Sequence, residues 1–162
     1  MFASDIDRTQ SKPALYAQLA VELRALIDNE TDWIANLANA SALLYHSLPD
    51  LNWAGFYLLK GEGLIVGPFQ GKPACVRIAL GAGVCGTAAA SRRTVIVRDV
   101  HQFAGHIACD SASNSEIVVP LLLAGELIGV LDLDSPQLAR FDEADRDGLE
   151  CLVAILLATY GA

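Results

Sequence analysis

The residues best suited to chemistry lie in the stretch His101–Pro120, HQFAGHIACDSASNSEIVVP, where one cysteine stands among histidines and carboxylates. A thiolate is a nucleophile, and imidazole and carboxyl groups exchange protons, so this combination is typical of a reactive site. A loop of this length is usually functional or disordered, and its interspersed apolar residues argue against disorder. The candidate groups are Cys109, His101, His106, Asp110 and Glu116.

Two more carboxylates occur in the stretch LIGVLDLDSP, where Asp132 and Asp134 are two residues apart and so share one strand face. If Leu123 pairs with Leu127 around a three-residue loop, Glu116 falls opposite Asp134. A two-residue loop would place Glu116 on the other face. The alternative is that both aspartates cap the strand in water, but three carboxylates held close would raise at least one pKa, as is common at functional sites.

The other three cysteines lie in different surroundings. Cys75 falls in a predicted strand, and Cys85 falls at the start of a small-residue helix, where the helix dipole favours a thiolate. Cys151 stands among apolar residues of the last helix, and we expect it in the core. The spacing of the histidines and Cys109 matches no zinc pattern, so we predict no metal site.

The surrounding sequence predicts two packing helices, a set of strands and a closing helix. Apolar residues recur at helical spacing over 13–48, and aromatic and apolar runs between glycine turns predict strands in the core region 51–160. Trp53 and Tyr57 share a face of the first strand, and the simplest interpretation is that both are core residues. The predicted strands cover 52–60, 64–69, 74–80, 95–97, 116–123 and 127–133, and the last helix covers 141–160.

Length and composition indicate one domain with a sizeable core, since the chain has 162 residues, of which 53% are hydrophobic. The net charge is −8 and no basic stripe is evident, which argues against nucleic acid or an anionic membrane as a partner. The acidic start does not resemble a signal peptide, and no apolar run is long enough to span a membrane. We therefore expect a soluble cytoplasmic protein whose cysteines rest as thiols, any disulfide being transient.

Taken together, several motifs resemble those of free methionine-R-sulfoxide reductases, which are single-domain enzymes of GAF fold. The motifs occur in order as NWAGFYLL, VGPFQGKPACVRI, GAGVCGTAA, GHIACDS, SEIVVP and IGVLDLDSP. One departure is Ala104, where the family usually has proline. The resemblance implies an α+β, GAF-like fold over residues 1–162, with a central antiparallel sheet of about six strands and helices packed on one side. It also implies a homodimer.

The resemblance further implies reduction of free L-methionine (R)-sulfoxide to methionine, with thioredoxin restoring the enzyme and no cofactor. It assigns Cys109 as the nucleophile and Cys75 as the resolving cysteine. In this chemistry a thiolate attacks the sulfoxide sulfur, and the resulting sulfenic acid is captured as a disulfide. Cys85 competes for either part, because its predicted position favours a thiolate.

The same resemblance gives roles to the carboxylates and the aromatic pair. Glu116, Asp132 and Asp134 would hold the substrate ammonium and supply an acid, and Trp53 and Tyr57 would wall the S-methyl group.

Two alternatives share the fold. One is a non-catalytic GAF sensor that binds a small ligand, although a sensor normally acts through an output domain, which we do not expect here. The other is a cysteine-based redox switch acting on a partner protein, which would not need three carboxylates beside a thiol.

Overall fold

The computed structural model describes residues 6–107 and 110–161, and it contains a six-stranded antiparallel sheet of strand order β3-β2-β1-β6-β5-β4. Every strand pairs antiparallel with its neighbour. The strands are β1 (Trp53–Lys60), β2 (Gly63–Gly71), β3 (Arg77–Ala79), β4 (Val95–Val97), β5 (Ser115–Leu123) and β6 (Glu126–Ser135).

The helices are α1 (Lys12–Leu26), α2 (Trp33–Ser47), α3 (Gly83–Ser91) and α4 (Glu143–Leu157), with a short 3-10 helix at Val100–Gln102. Three of them, α1, α2 and α4, pack on one face of the sheet, as expected for the α+β, GAF-like fold. The short α3 packs on the opposite face, together with the connecting loops. None of the helices within 6–107 and 110–161 is both long enough and apolar enough to cross a membrane.

Strand alternation divides the sheet residues between two cores. In β6, Leu131 and Leu133 are fully buried under the long helices, whereas Val130 belongs to the core under α3. Because side chains alternate along a strand, Asp132 and Asp134 face the α3 side with Val130. The helical layer therefore supplies most of the apolar burial, and the α3 side is free to hold polar groups.

The last helix is fixed by a buried carboxylate with several partners. Asp142 is the N-cap of α4 and forms a capping box with Asp145. The Asp145 carboxylate is fully buried, and it accepts hydrogen bonds from Tyr16 Oη at 2.9 Å and Arg140 Nη1 at 3.1 Å and pairs with Lys12 Nζ at 2.5 Å. These contacts tie α4 to α1, so the predicted acidic start of the helix serves the packing as well as the helix dipole.

The β5–β6 turn differs from the expected one. The turn consists of two residues, Ala124 and Gly125, both with positive φ as in a type I′ hairpin, and Leu123 pairs with Glu126. The prediction of a three-residue loop is wrong. A register shift between Leu121 and Leu122 skips one residue of β6, however, so the predicted pairing of the carboxylate-bearing positions further along the strands is retained.

Two further details correct the sequence prediction. Cys151 is exposed, because the buried side of α4 follows Leu149, Leu152 and Leu156, and position 151 falls outside that stripe. The third strand covers only 77–79 instead of 74–80, since β3 is an edge strand that pairs with β2 over three residues.

The close approach of α1 and α4 at Gly148 gives a stability test. A Cβ at Gly148 would lie 2.1 Å from Tyr16 Cγ. Alanine at a mid-helix glycine would otherwise stabilise by up to about 1 kcal/mol. We expect Gly148→Ala instead to lower the free energy of unfolding by about 1–3 kcal/mol through overpacking, measured by urea denaturation. The control is Asp147→Ala at the exposed neighbouring position, and equal stability of both variants would contradict the packing argument.

Candidate active site

A pocket opens on the α3 side of the sheet, between the ends of β1, β5 and β6 and the first turn of α3. Cys109 lies outside the described residues. Cys75 is partly buried between β2 and β3 and packs against the same core, beside the pocket-lining Ala74. The structure thus brings six of the eight predicted site residues to the pocket, namely Trp53, Tyr57, Cys85, Glu116, Asp132 and Asp134.

The predicted gathering of three carboxylates on one face is confirmed. Glu116 pairs with Asp134 across the β5–β6 ladder, and Val118 pairs with Asp132. Glu116 and Asp132 are each only 6% exposed, so capping the strand in water does not account for Asp132.

Burial is the main cause that raises the pKa of each of these carboxyl groups well above its ordinary value. Negative charge on the neighbouring carboxylates raises these pKa values further. Asp134 raises the pKa of Glu116, Glu116 raises the pKa of Asp132, and Asp132 raises the pKa of Asp134. The pocket therefore favours the protonated, uncharged form of these carboxyl groups more strongly than water does.

Cys85 behaves differently from the sequence prediction. It lies in the first turn of α3, but its side chain is buried. Its Sγ, one carboxylate oxygen of Glu116 and one of Asp132 all lie within 4.8 Å of one another. Burial first, and then the charges of Asp132 and Glu116, raise the pKa of the thiol well above its usual value. The expectation of a thiolate favoured by the helix start is wrong here, because desolvation and nearby negative charge outweigh the dipole.

An aromatic wall closes one side of the pocket. Trp53 and Tyr57 are stacked with ring centroids 5.8 Å apart, and Phe69 also stacks with Trp53, with centroids 5.2 Å apart. Trp53 Nε1 donates a hydrogen bond to the Lys72 carbonyl at 3.2 Å, which satisfies its polar atom. The two predicted roles of the pair, core and pocket wall, are therefore compatible. Sequence reasoning missed Phe69, whose only signal was its place in the motif VGPFQGKPACVRI.

The two histidines of the loop separate in space. His106 lines the pocket with Nε2 3.5 Å from Glu116 Oε2, and burial lowers the pKa of its imidazole. His101 is exposed and its Nε2 lies 2.9 Å from Asn114 Oδ1. Of the two, the structure brings only His106 to the carboxylates.

Asp110, the residue after Cys109 in the chain, anchors the end of the loop. Its carboxylate accepts hydrogen bonds from Ala112 N at 2.9 Å, Asn52 Nδ2 at 3.2 Å and Lys72 Nζ at 3.2 Å. The Ala112 hydrogen bond is the main cause that lowers the pKa of Asp110, so the anchor is ionised at neutral pH. We predicted Asp110 as a member of the reactive site, but its contacts are those of a residue that positions the end of the loop. Sequence reasoning missed its partners Asn52 and Lys72.

Comparison with known proteins identifies the class of domain to which this chain belongs. The GAF domain model matches residues 22–159, so the chain is a GAF domain protein, in agreement with the observed fold. Free methionine-R-sulfoxide reductase from Escherichia coli K12 is 56% identical over 146 residues, covering 90% of this chain and 88% of that protein. The chain therefore belongs to the free methionine-R-sulfoxide reductase family, which confirms the resemblance of the motifs.

Solved structures agree with this assignment. The Neisseria meningitidis free methionine-R-sulfoxide reductase, in complex with its substrate, superposes with a TM-score of 0.94 at 46% identity and covers 99% of this chain and 96% of that one. A Burkholderia vietnamiensis protein described as a GAF sensor superposes with a TM-score of 0.90 at 64% identity, covering 93% and 96%.

The anchoring role of Asp110 is testable by hydrogen exchange. We expect Asp110→Ala to speed amide exchange in residues 110–114 by about tenfold or more, because loss of hydrogen bonds to a charged acceptor costs about 1.5–3 kcal/mol. The control is Asp99→Ala, which removes a similar cap from His101 N and Gln102 Nε2 in the neighbouring 3-10 helix. Exchange in 110–114 that is unchanged by Asp110→Ala, or equally fast in both variants, would contradict the anchor.

Proposed function

We propose that this protein reduces free methionine (R)-sulfoxide to methionine and that the pocket on the α3 side is its active site. The observation that carries the proposal is the cluster of buried Glu116 and Asp132 with half-buried Asp134, which lines the same pocket as Trp53 and Tyr57. Such a pocket suits a small molecule with a cationic end and an apolar end. Membership in the family, with relatives named for this activity, supports the same substrate.

The carboxylates are suited to the substrate's α-ammonium. An ammonium donates three hydrogen bonds and carries one positive charge, which offsets the repulsion among Glu116, Asp132 and Asp134. Within the described part of the chain, Asp132 Oδ1 is buried and has no hydrogen-bond partner. This oxygen is an acceptor that a bound ligand would satisfy, and leaving it bare costs about 1–3 kcal/mol.

The apolar end of the substrate would lie against the aromatic wall. Trp53 is 3% exposed and Tyr57 2%, and their stacking fixes both rings. Burial raises the pKa of the Tyr57 hydroxyl, so it remains a neutral donor at neutral pH. A rigid aromatic surface binds an S-methyl group at little entropic cost.

For the chemistry we propose Cys109 as the nucleophile and Cys75 as the resolving cysteine. The Cys109 thiolate attacks the sulfoxide sulfur and takes its oxygen, leaving methionine and a sulfenic acid. The Cys75 thiol then displaces that oxygen as water and forms a disulfide, which a thioredoxin dithiol reduces. The raised pKa of Cys85 supports Cys109 over Cys85 as the nucleophile.

An acid must protonate the sulfoxide oxygen as its bond to sulfur breaks. The raised pKa values of Glu116, Asp132 and Asp134 support one of them in this role, because a raised pKa favours the protonated form that a general acid needs. Proximity of His106 to Glu116 favours Glu116, since the imidazole provides a route for returning the proton.

Four further points form part of the proposal. Thioredoxin as the reductant and a homodimer follow from the family resemblance, whereas a cytoplasmic location and a single domain over residues 1–162 follow from the length and composition of the chain.

The second candidate function is a non-catalytic GAF sensor, which the description of the Burkholderia vietnamiensis structure favours. A sensor would bind the same small molecule in the pocket without consuming it. Methionine sulfoxide consumption with thioredoxin, thioredoxin reductase and NADPH separates the two functions. Binding without consumption would favour the sensor.

The cysteine roles give the first activity prediction. We expect Cys109→Ser to lose turnover by about a thousandfold or more, because a hydroxyl of ordinary pKa does not replace a thiolate. Cys75→Ser should still reduce one equivalent of substrate but should not turn over with thioredoxin. Cys151→Ser, at an exposed position on α4, is the matched control and should keep the parent rate. An active Cys109→Ser with an inactive Cys85→Ser would move the nucleophile to Cys85.

The second activity prediction concerns the ammonium. N-acetylation of the substrate removes its charge and leaves the carboxylates desolvated, so kcat/KM should fall by about a hundredfold or more. The comparison is free L-methionine (R)-sulfoxide against its N-acetyl derivative in steady-state assays, with the S epimer as a second comparator. Asp132→Asn should reduce the difference in kcat/KM between the free and the acetylated substrate. Equal kcat/KM for both in the parent protein would refute the role of the carboxylates.

A further inference from the structure

One wall of the pocket brings a thiol, two carboxylates and an imidazole together. We propose that Cys85, Glu116 and Asp132 form a binding site for Zn²⁺ or a similar borderline divalent cation, with His106 as the fourth ligand. This site is not part of the reduction reaction proposed above.

The ligand atoms are close enough for one ion. Cys85 Sγ, a Glu116 oxygen and an Asp132 oxygen all lie within 4.8 Å of one another, and all three residues are buried. Bonds of about 2.0–2.3 Å at tetrahedral angles put neighbouring ligand atoms roughly 3.3–3.8 Å apart. Side-chain rotations that bring the three ligand atoms about 1 Å closer together would therefore place them at the separations of three zinc ligands.

His106 would reach the fourth position by moving with its loop, because it lies outside the group of atoms within 4.8 Å of one another. His106 Nε2 lies 3.5 Å from Glu116 Oε2, which is the separation expected for two ligands on one edge of a tetrahedron. His106 also lines the pocket with the other three residues. The set of one sulfur, one nitrogen and two oxygens matches the donors that zinc takes in proteins.

A second observation points to a bound cation. Asp132 Oδ1 is buried, has no hydrogen-bond partner among the described residues, and belongs to a residue that lines the pocket. A buried orphan oxygen is rare in folded proteins, because its desolvation is uncompensated. Metal coordination would satisfy this oxygen and offset the negative charge of Glu116 beside it.

The thiol and imidazole distinguish a metal from an ammonium. An ammonium needs oxygen acceptors only, so it would not bind the Cys85 sulfur, which in the structure hydrogen-bonds with Asp132. A borderline cation uses both soft and hard donors on this wall. Since the cation and the substrate ammonium would share Glu116 and Asp132, they would exclude each other, and the cation would inhibit the reductase; this last step rests on the proposed function.

The test is a Co²⁺ titration of the full chain carrying Cys151→Ser, reduced and without oxygen, so that the exposed thiol on α4 does not bind metal. Binding should produce thiolate-to-cobalt absorption in the near ultraviolet at one equivalent, and Zn²⁺ should remove it. Adding Cys85→Ser should abolish the absorption, and Asp132→Asn should weaken binding by about tenfold or more. Cys75→Ser should leave the absorption unchanged.

The proposal is overturned if Co²⁺ in large excess gives no thiolate absorption, or if the absorption survives Cys85→Ser. If Cys85→Ser does not fold, His106→Ala on the loop replaces it, and unchanged Co²⁺ affinity in that variant together with unchanged affinity in Asp132→Asn overturns the site.

Competition separates this proposal from the proposed function. Saturating free L-methionine, which carries the ammonium but does not react, should weaken Co²⁺ binding. A Cys85-dependent spectrum that methionine leaves unchanged would overturn the inhibition step and count against the substrate position, while the metal site itself would stand. No spectrum combined with normal turnover would overturn the metal site and leave the proposed function intact.

Discussion

The structure depends on negative charge buried on one face of two paired strands. The β5–β6 register places Glu116 opposite Asp134 and brings Asp132 onto the same face, under α3 instead of in water. Carboxylates this close and this desolvated do not all ionise without a positive partner. The fully charged form of the pocket is therefore unstable, and a proton or another positive group would stabilise it.

A buried carboxylate elsewhere in the same chain shows what a structural one looks like. Asp145 has no exposed surface, yet it contacts two cationic side chains, Lys12 and Arg140, and the hydroxyl of Tyr16. Within the described residues, Asp132 has no such cationic partner, and one of its oxygens has no hydrogen bond at all. The chain thus pairs the Asp145 carboxylate with internal cations, whereas Asp132 has none, and this contrast supports the proposed ligand-binding role of the pocket carboxylates. This difference is the physical basis for placing function at β5 and β6.

The two-layer arrangement makes this possible. The long helices and one sheet face bury the apolar core, including fully buried Phe56 and Leu131, and so stabilise the fold without using the other face. On that other face, α3 and the aromatic wall limit access of water, which strengthens electrostatic interactions inside. Asp110 then holds the end of the loop near β1 through Asn52 and Lys72.

Local sequence and tertiary packing determine different features of this protein. The motifs and the strand alternation were enough to predict the GAF-like fold, the family and the common face of Asp132 and Asp134, because period-two alternation and family motifs are local properties. The β5–β6 register that places Glu116 on the same face as the two aspartates was predicted from a three-residue turn, which is wrong. The register is nevertheless retained, because a bulge near Leu121 compensates for the two-residue turn, and a bulge depends on packing between the two strands.

The sequence alone did not determine the burial of individual side chains or the charges that surround them. A helix start suggested a thiolate at Cys85, but the neighbours that raise the pKa of this thiol come from β5 and β6, far away in the chain. The same holds for Cys151, whose exposure is set by the packed side of α4, and for His106, which meets Glu116 through the path of the loop. Sequence determined which chemical groups are present and their local periodicity. Only tertiary structure decided their burial and charge environment, because both depend on contacts between residues distant in sequence.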